Sequence, residues 1–177
     1  MASYAEAGQT GEAVKTAEQL AAKSPNDKKT QMNLASVYLQ ADKMDQAAAI
    51  LEKLRASGQI TEEKEYRQLY TTYANMDGKE KEVISVINEG LQKGVLKPDH
   101  QTYLALAQSY YYSDQIPPAI EAWKKAAPLA KDGETYLNLA KVLLQENQVA
   151  EAKQAAKSAL EKGVKKPEEA KKIIAQP

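Results

Sequence analysis

One spacing pattern returns along the chain and limits its fold more than any other feature. Tyr66-x2-Leu69-Tyr70-x2-Tyr73, Tyr103-x2-Leu106-Ala107-x2-Tyr110 and Tyr136-x2-Leu139-Ala140-x2-Leu143 superpose, and Gln31-x2-Leu34-Ala35-x2-Tyr38 joins them. Apolar residues three and four apart share one face of a helix, so each copy reads as a first helix. A second helix follows with the same spacing: Ala47, Leu51 and Leu54 in the first copy, Ala119, Trp123 and Ala126 in the third, Ala152, Ala156 and Ala159 in the fourth. Gly and Pro punctuate the chain in step, at Ser24-Pro25-Asn26-Asp27, Gly58, Gly94 to Pro98, Pro128 to Gly133 and Gly163 to Pro167. A helix pair returning at about 34 residues cannot bury both its faces alone, so the pairs must stack into a solenoid.

The pattern resembles the tetratricopeptide repeat: a large aromatic, Leu, a small residue and Tyr on the first helix, then a small residue, an aromatic and Ala on the second. The resemblance covers nearly the whole chain. It implies an all-α fold, a right-handed superhelical solenoid of antiparallel helix pairs with partial repeats at both ends. The expected divisions are 1–27 (a partial repeat, mainly its second helix, starting near Glu12), 28–61, 62–98, 99–132, 133–166 and 167–177 (a terminal helix). Tyr4, Ala13, Ala17, Leu20 and Pro25 match the end of a repeat whose first helix is almost absent, and Ala170, Ile173 and Ile174 open a further one. A fragment of a longer array is the expectation. Small residues at Ala35, Ala107 and Ala140 let the second helix approach, whereas the copy at 62–98 diverges, with bulky Tyr70 at the small position and Glu82 or Val83 where Ala is expected. Its helices are expected to be splayed or shifted.

The turns repeat too. Lys93-Gly94-Val95-Leu96-Lys97-Pro98-Asp99 and Lys162-Gly163-Val164-Lys165-Lys166-Pro167-Glu168 share a plan in which Gly takes the left-handed helix end, Val covers it and Pro opens the next helix. Thr61, with Glu62 and Glu63 behind it, reads as an N-cap.

Composition narrows the function classes. Lys plus Arg equals Asp plus Glu at 24 each, so no global field draws nucleic acid or an anionic membrane. No apolar run is long enough to insert in a membrane. There is no Cys, and the lone His100 beside Pro98-Asp99 lacks the partners that a metal or general-base site needs. No phosphate loop or nucleophile constellation is present, so the sequence predicts a non-enzymatic chain without a cofactor or metal.

In this family the first helices line the concave groove, and the stripe beside the motif face meets the partner, a protein or peptide segment. That stripe carries Lys29, Met32, Ser36 and Leu39, then Lys64, Arg67, Thr71 and Asn75. Gln101, Leu104, Gln108, Tyr111 and Tyr112 follow, then Glu134, Leu137, Lys141, Leu144 and Gln145. The predicted groove site is Lys64, Arg67, Thr71, Leu104, Gln108, Tyr111, Tyr112, Leu137 and Lys141. Tyr111 and Tyr112 exceed what the repeat asks for and suit anchors, although a packing role for their rings accounts for them as well. Lys64 and Arg67 suit a partner carboxylate, with a solvated basic face beside Glu62, Glu63 and Glu65 as the plain alternative. Trp123, at the aromatic position of a second helix, is assigned to the core. The family's carboxylate clamps for chaperone tails need Lys and Asn where Met32 and Ser36 stand, which argues against that function here.

The stretch from Asp132 to Ala140 and from Ala159 to Pro167 is similar to periplasmic repeat proteins that accompany bacterial TonB energy-transduction systems. This implies periplasmic residence and a link to uptake across the outer membrane, with the cytoplasm as the alternative. A structural, self-associating role, with homo-oligomers joined through exposed terminal repeats, is the alternative function.

Overall fold

A computed structural model describes residues 4–177, with side chains from residue 8 onward. The helices are α1 (Tyr4–Lys23), α2 (Lys28–Gln40), α3 (Met44–Ala56), α4 (Glu63–Ala74), α5 (Glu80–Gln92), α6 (His100–Tyr112), α7 (Ile116–Ala126), α8 (Glu134–Gln145), α9 (Val149–Lys162) and α10 (Pro167–Ile174). A 3-10 turn, Ala127–Leu129, follows α7, and no strand occurs among the described residues. The chain divides into two compact units, residues 1–79 and 80–177. The division falls inside the divergent copy.

In the first unit α2 packs on α1 and α3, and α3 on α4. Ala17, Ala21 and Leu34 form one buried cluster, flanked by Val37, Tyr38 and Ile50. Ala35 of α2 and Ala47, Leu51 and Leu54 of α3 are buried, and Tyr66, Leu69, Tyr70 and Tyr73 are buried along α4. In the second unit α6 packs on α5 and α7, α8 on α7 and α9, and α10 on α8 and α9. Its core runs through Val83, Val86, Ile87, Leu106, Ala107, Ala119, Trp123, Ala126, Leu139, Ala140, Leu143, Ala152, Ala156 and Ala159. The three small residues Ala35, Ala107 and Ala140 are fully buried, as close helix approach requires.

The turns inside the pairs are built alike. Asp42, Asp114 and Asn147 each take a positive φ, a conformation that Asp and Asn tolerate best among residues with a Cβ. In each turn the amide just beyond, on Lys43, Gln115 or Gln148, donates to the carbonyl five residues back, Tyr38, Tyr110 or Leu143, at 2.8 Å. This 6→1 bond satisfies an end carbonyl and reverses the chain in three residues.

Several expectations are corrected here. The first helix starts at Tyr4 and not near Glu12, because the Ala-rich segment sustains the helix through Gly8 and Gly11. Its buried face is Val14, Ala17 and Ala21, one residue round from Ala13, Ala17 and Leu20, and Leu20 is 51% exposed. The Tyr4 side chain lies outside the described residues. Thr61 is not the N-cap of α4; Glu62 is, without a side-chain bond, and the Thr61 hydroxyl accepts from Lys28 Nζ at 3.3 Å. After Gly94, which does take the left-handed conformation, Leu96 rather than Val95 is buried as the cover. Gly163 has φ 89° and ψ 125°, a positive φ that favours glycine but a ψ outside the left-handed helical well. Pro167 opens α10, but Pro98 precedes the cap Asp99, whose carboxylate accepts from the Thr102 amide at 2.9 Å.

Candidate partner-binding site

The second unit brings four of the predicted groove residues together. Gln108, Tyr111 and Tyr112 from α6 and Lys141 from α8 border an open recess of about 260 Å³, completed by Trp123 of α7 and by Asn138, Val142 and Gln145 of α8. Three consecutive tyrosines end α6, and the helix period fans them around its last turn. Tyr110 leans the other way, its hydroxyl accepting from Asn88 Nδ2 at 3.1 Å. Tyr111 is half-buried, its ring 5.5 Å from Trp123 and 5.6 Å, edge to face, from Tyr112. Tyr112 stands 74% exposed. An exposed aromatic braced by a half-buried one and by a buried indole is a rigid apolar anchor point with a hydroxyl at its edge.

Trp123 is buried, and its indole N–H, itself closed to solvent, has no hydrogen-bond partner among the described residues. Buried donors are normally paired, so this one is a local cost of the packing.

The charge of the recess is already answered from within the unit. Lys141 pairs with Glu169 of α10, and the ammonium holds the Glu169 carboxyl below the ordinary carboxylate range, first through this hydrogen bond. Both groups are partly exposed, so the pair is weak and exchangeable. Successive first helices are cross-linked in the same manner by His100 to Thr135 at 2.9 Å in the second unit and by Gln68 to Ser36 at 3.2 Å in the first.

The other predicted site residues lie as follows. Leu137 is 3% exposed and cannot present its side chain, because the Leu137, Leu139, Ala140, Val142 and Leu143 side chains of α8 all turn into the protein; Asn138, one residue on, faces the recess instead. Leu104 is half-buried and outside this recess. Lys64, Arg67 and Thr71 belong to α4 of the first unit, and each is engaged locally. Lys64 pairs with Glu62 at 3.0 Å, and Arg67 reaches Glu63 at 2.7 Å and the Tyr70 hydroxyl at 3.1 Å. The Thr71 hydroxyl turns back to the carbonyls of Arg67 at 2.6 Å and Gln68 at 3.1 Å.

The sequence reading missed Asn138 and Val142, and placed Trp123 wholly in the core. The signal was available for Asn138: it is three and seven residues before Lys141 and Gln145, on the same helical face. For Trp123 the repeat pattern correctly gives burial and does not say which edge of the ring borders an open space.

Residues 4–71 match the family model of the tetratricopeptide repeat. No curated protein matches the chain. Among solved structures, a crystal structure of the MamA protein superposes with a TM-score of 0.73 at 20% identity, over 91% of this chain and 86% of that one. MamA of AMB-1 gives 0.71 at 21%, over 89% and 85%. A thermophilic TPR protein of Thermus thermophilus gives 0.51 at 19%, over 95% and 90%. Identities this low speak for the fold alone. With its repeated helix pairs, shared turns and buried small residues, the chain has the fold of a tetratricopeptide-repeat solenoid.

Proposed function

We propose that the chain is a protein-interaction scaffold that receives a segment of another protein against the recess of Tyr111, Tyr112 and Trp123. The observation that carries this reading is the exposed Tyr112 standing over a recess braced by the Tyr111 ring and bordered by Trp123. An apolar or aromatic side chain of the partner fills the recess, and the amides of Gln108, Asn138 and Gln145 offer both donors and acceptors to its backbone. Lys141 exchanges Glu169 for a partner carboxylate where the segment carries one. Trp123 is the only tryptophan, so its emission reports occupancy of this recess directly. Titrating a natural partner should change that emission, and Tyr112→Ala should weaken binding more than Lys64→Ala. Unchanged affinity in both variants would remove the site from this recess.

The similarity to periplasmic repeat proteins of TonB systems extends the proposal to place: the periplasm, beside outer-membrane uptake, with the cytoplasm as the alternative. Fractionation of cells expressing the native gene decides between them. A second reading, self-association, is favoured by an open recess of about 270 Å³ on the first unit, bordered by Gln9, Thr10, Ala13, Val37 and Gln40. Sedimentation at rising concentration tests it; a constant monomer mass rejects it.

A further inference from the structure

We propose that the second unit carries another docking surface, formed by α5, α6 and α7, for a proline-rich partner segment in the polyproline II conformation. An open recess of about 530 Å³ lies there, about the size of a ligand site, and shares no lining residue with the recess of Tyr111, Tyr112 and Trp123. Its floor is the opposite side of α6, where Leu106 lies between the rings of Tyr103 and Tyr110; Leu91 and Pro118 stand on the walls.

The tyrosine spacing selects the occupant. Tyr103 and Tyr110 are seven residues apart, so two helical turns set them about 10.5 Å apart on one face. Polyproline II advances about 9.3 Å in three residues, so prolines one turn apart reach successive rings. In α4 the corresponding Tyr66 and Tyr73 are buried, and in α8 the second position is the buried Leu143. Only α6, among the described first helices, leaves two half-buried tyrosine rings at these positions.

The charge around the recess agrees. The Glu121 carboxylate turns toward Lys124 at 3.4 Å, while the Lys125 ammonium sits 5.7 Å from the centre of the Tyr103 ring. Asn88 donates to the Tyr110 oxygen, which leaves the Tyr110 O–H free to donate onward. The border therefore offers donors, the Lys125 ammonium and the Tyr110 hydroxyl, beside the tyrosine rings. Polyproline II presents carbonyls with no internal partners, which those donors can meet. A helix keeps its carbonyls to itself and would leave those donors unmet.

The test uses the full chain and two end-blocked peptides of equal length, one of repeated Pro-Pro-Ala and one of repeated Gly-Ser-Ala, followed by the ring resonances of the tyrosines. The proline peptide should shift Tyr103 and Tyr110, leave Tyr112 in place, and bind about tenfold more tightly than the Gly-Ser peptide. Asn88→Asp, at an exposed position that leaves the core intact, should weaken it about tenfold by setting a carboxylate against the peptide carbonyls. Equal response to both peptides, shifts at Tyr112 or Trp123 instead, indifference to Asn88→Asp, or no shift at millimolar peptide would each overturn the proposal.

Discussion

Helices α4 and α6 carry the same motif and use their tyrosines in opposite ways. In α4, Tyr66, Tyr70 and Tyr73 are all buried. Along α6 no tyrosine is buried: Tyr103, Tyr110 and Tyr111 are half-buried and Tyr112 is exposed. The motif position that should be small separates them. In α6 it is Ala107, fully buried where α7 packs, and small side chains suffice to fill that contact. In α4 it is Tyr70, whose ring takes up the volume itself, with its hydroxyl met by Arg67. An aromatic residue in a repeat is therefore packing material or exposed surface according to what its own helix already supplies.

The comparison breaks most clearly by truncation. Tyr70→Ala should lower unfolding free energy by about 3 to 5 kcal/mol, since a buried ring leaves a cavity that rigid helices close poorly. Trp123→Ala should show a similar loss, because its indole is buried despite bordering the recess. Urea denaturation measures both, and a Tyr70→Ala protein as stable as its parent would mean that α4 does not rely on its rings.

Enlarging the small contacts sharpens the other side. Ala107→Leu should destabilise by about 1 to 3 kcal/mol through overpacking. Gly133→Ala belongs in the same range, for another reason: a Cβ there would run into the Ala159 carbonyl. Gly133 has an ordinary negative φ, so the close approach of two backbones, and not a left-handed turn, demands the glycine. Its amide meets the Gly163 carbonyl at 2.8 Å. Thermal melts in which Gly133→Ala matches the parent would disprove that contact.

Much of this was legible beforehand, and the reason is physical. Burial of Ala35, Ala107 and Ala140, and the pairing of helices, follow from periodicity alone, because a wrong residue there breaks packing. The direction of a stripe beside the core is set more loosely: one residue is about 100° of rotation, and that separated Leu137, which is buried, from Asn138, which faces the recess. Long-range polar pairing was not legible at all. Nothing in the sequence marks Glu65 as the buried partner of Lys28 at 2.6 Å, although they stand in successive first helices. Lys28→Met should therefore cost about 1 to 3 kcal/mol by orphaning a buried carboxylate, while Lys64→Met, at an exposed pair, should change stability little. Equal effects in the two variants would show that water reaches Glu65.

The smallest stability effect falls on the residue with the largest proposed role. Tyr112 buries little of its ring, so Tyr112→Ala removes few contacts beyond its edge against Tyr111. A surface change of this kind normally stays within about 0.5 kcal/mol. The contrast with Tyr70→Ala then becomes a direct measure of what each ring is for. One variant loses stability and, through it, every property of the first unit. The other should keep its melting curve and, if the proposed site is right, lose the partner. Both proteins can be compared by circular dichroism on heating and by the response of Trp123 emission to the partner. If Tyr112→Ala instead melts as early as Tyr70→Ala, the ring is packing material in α6 as well, and its exposure marks no recognition surface.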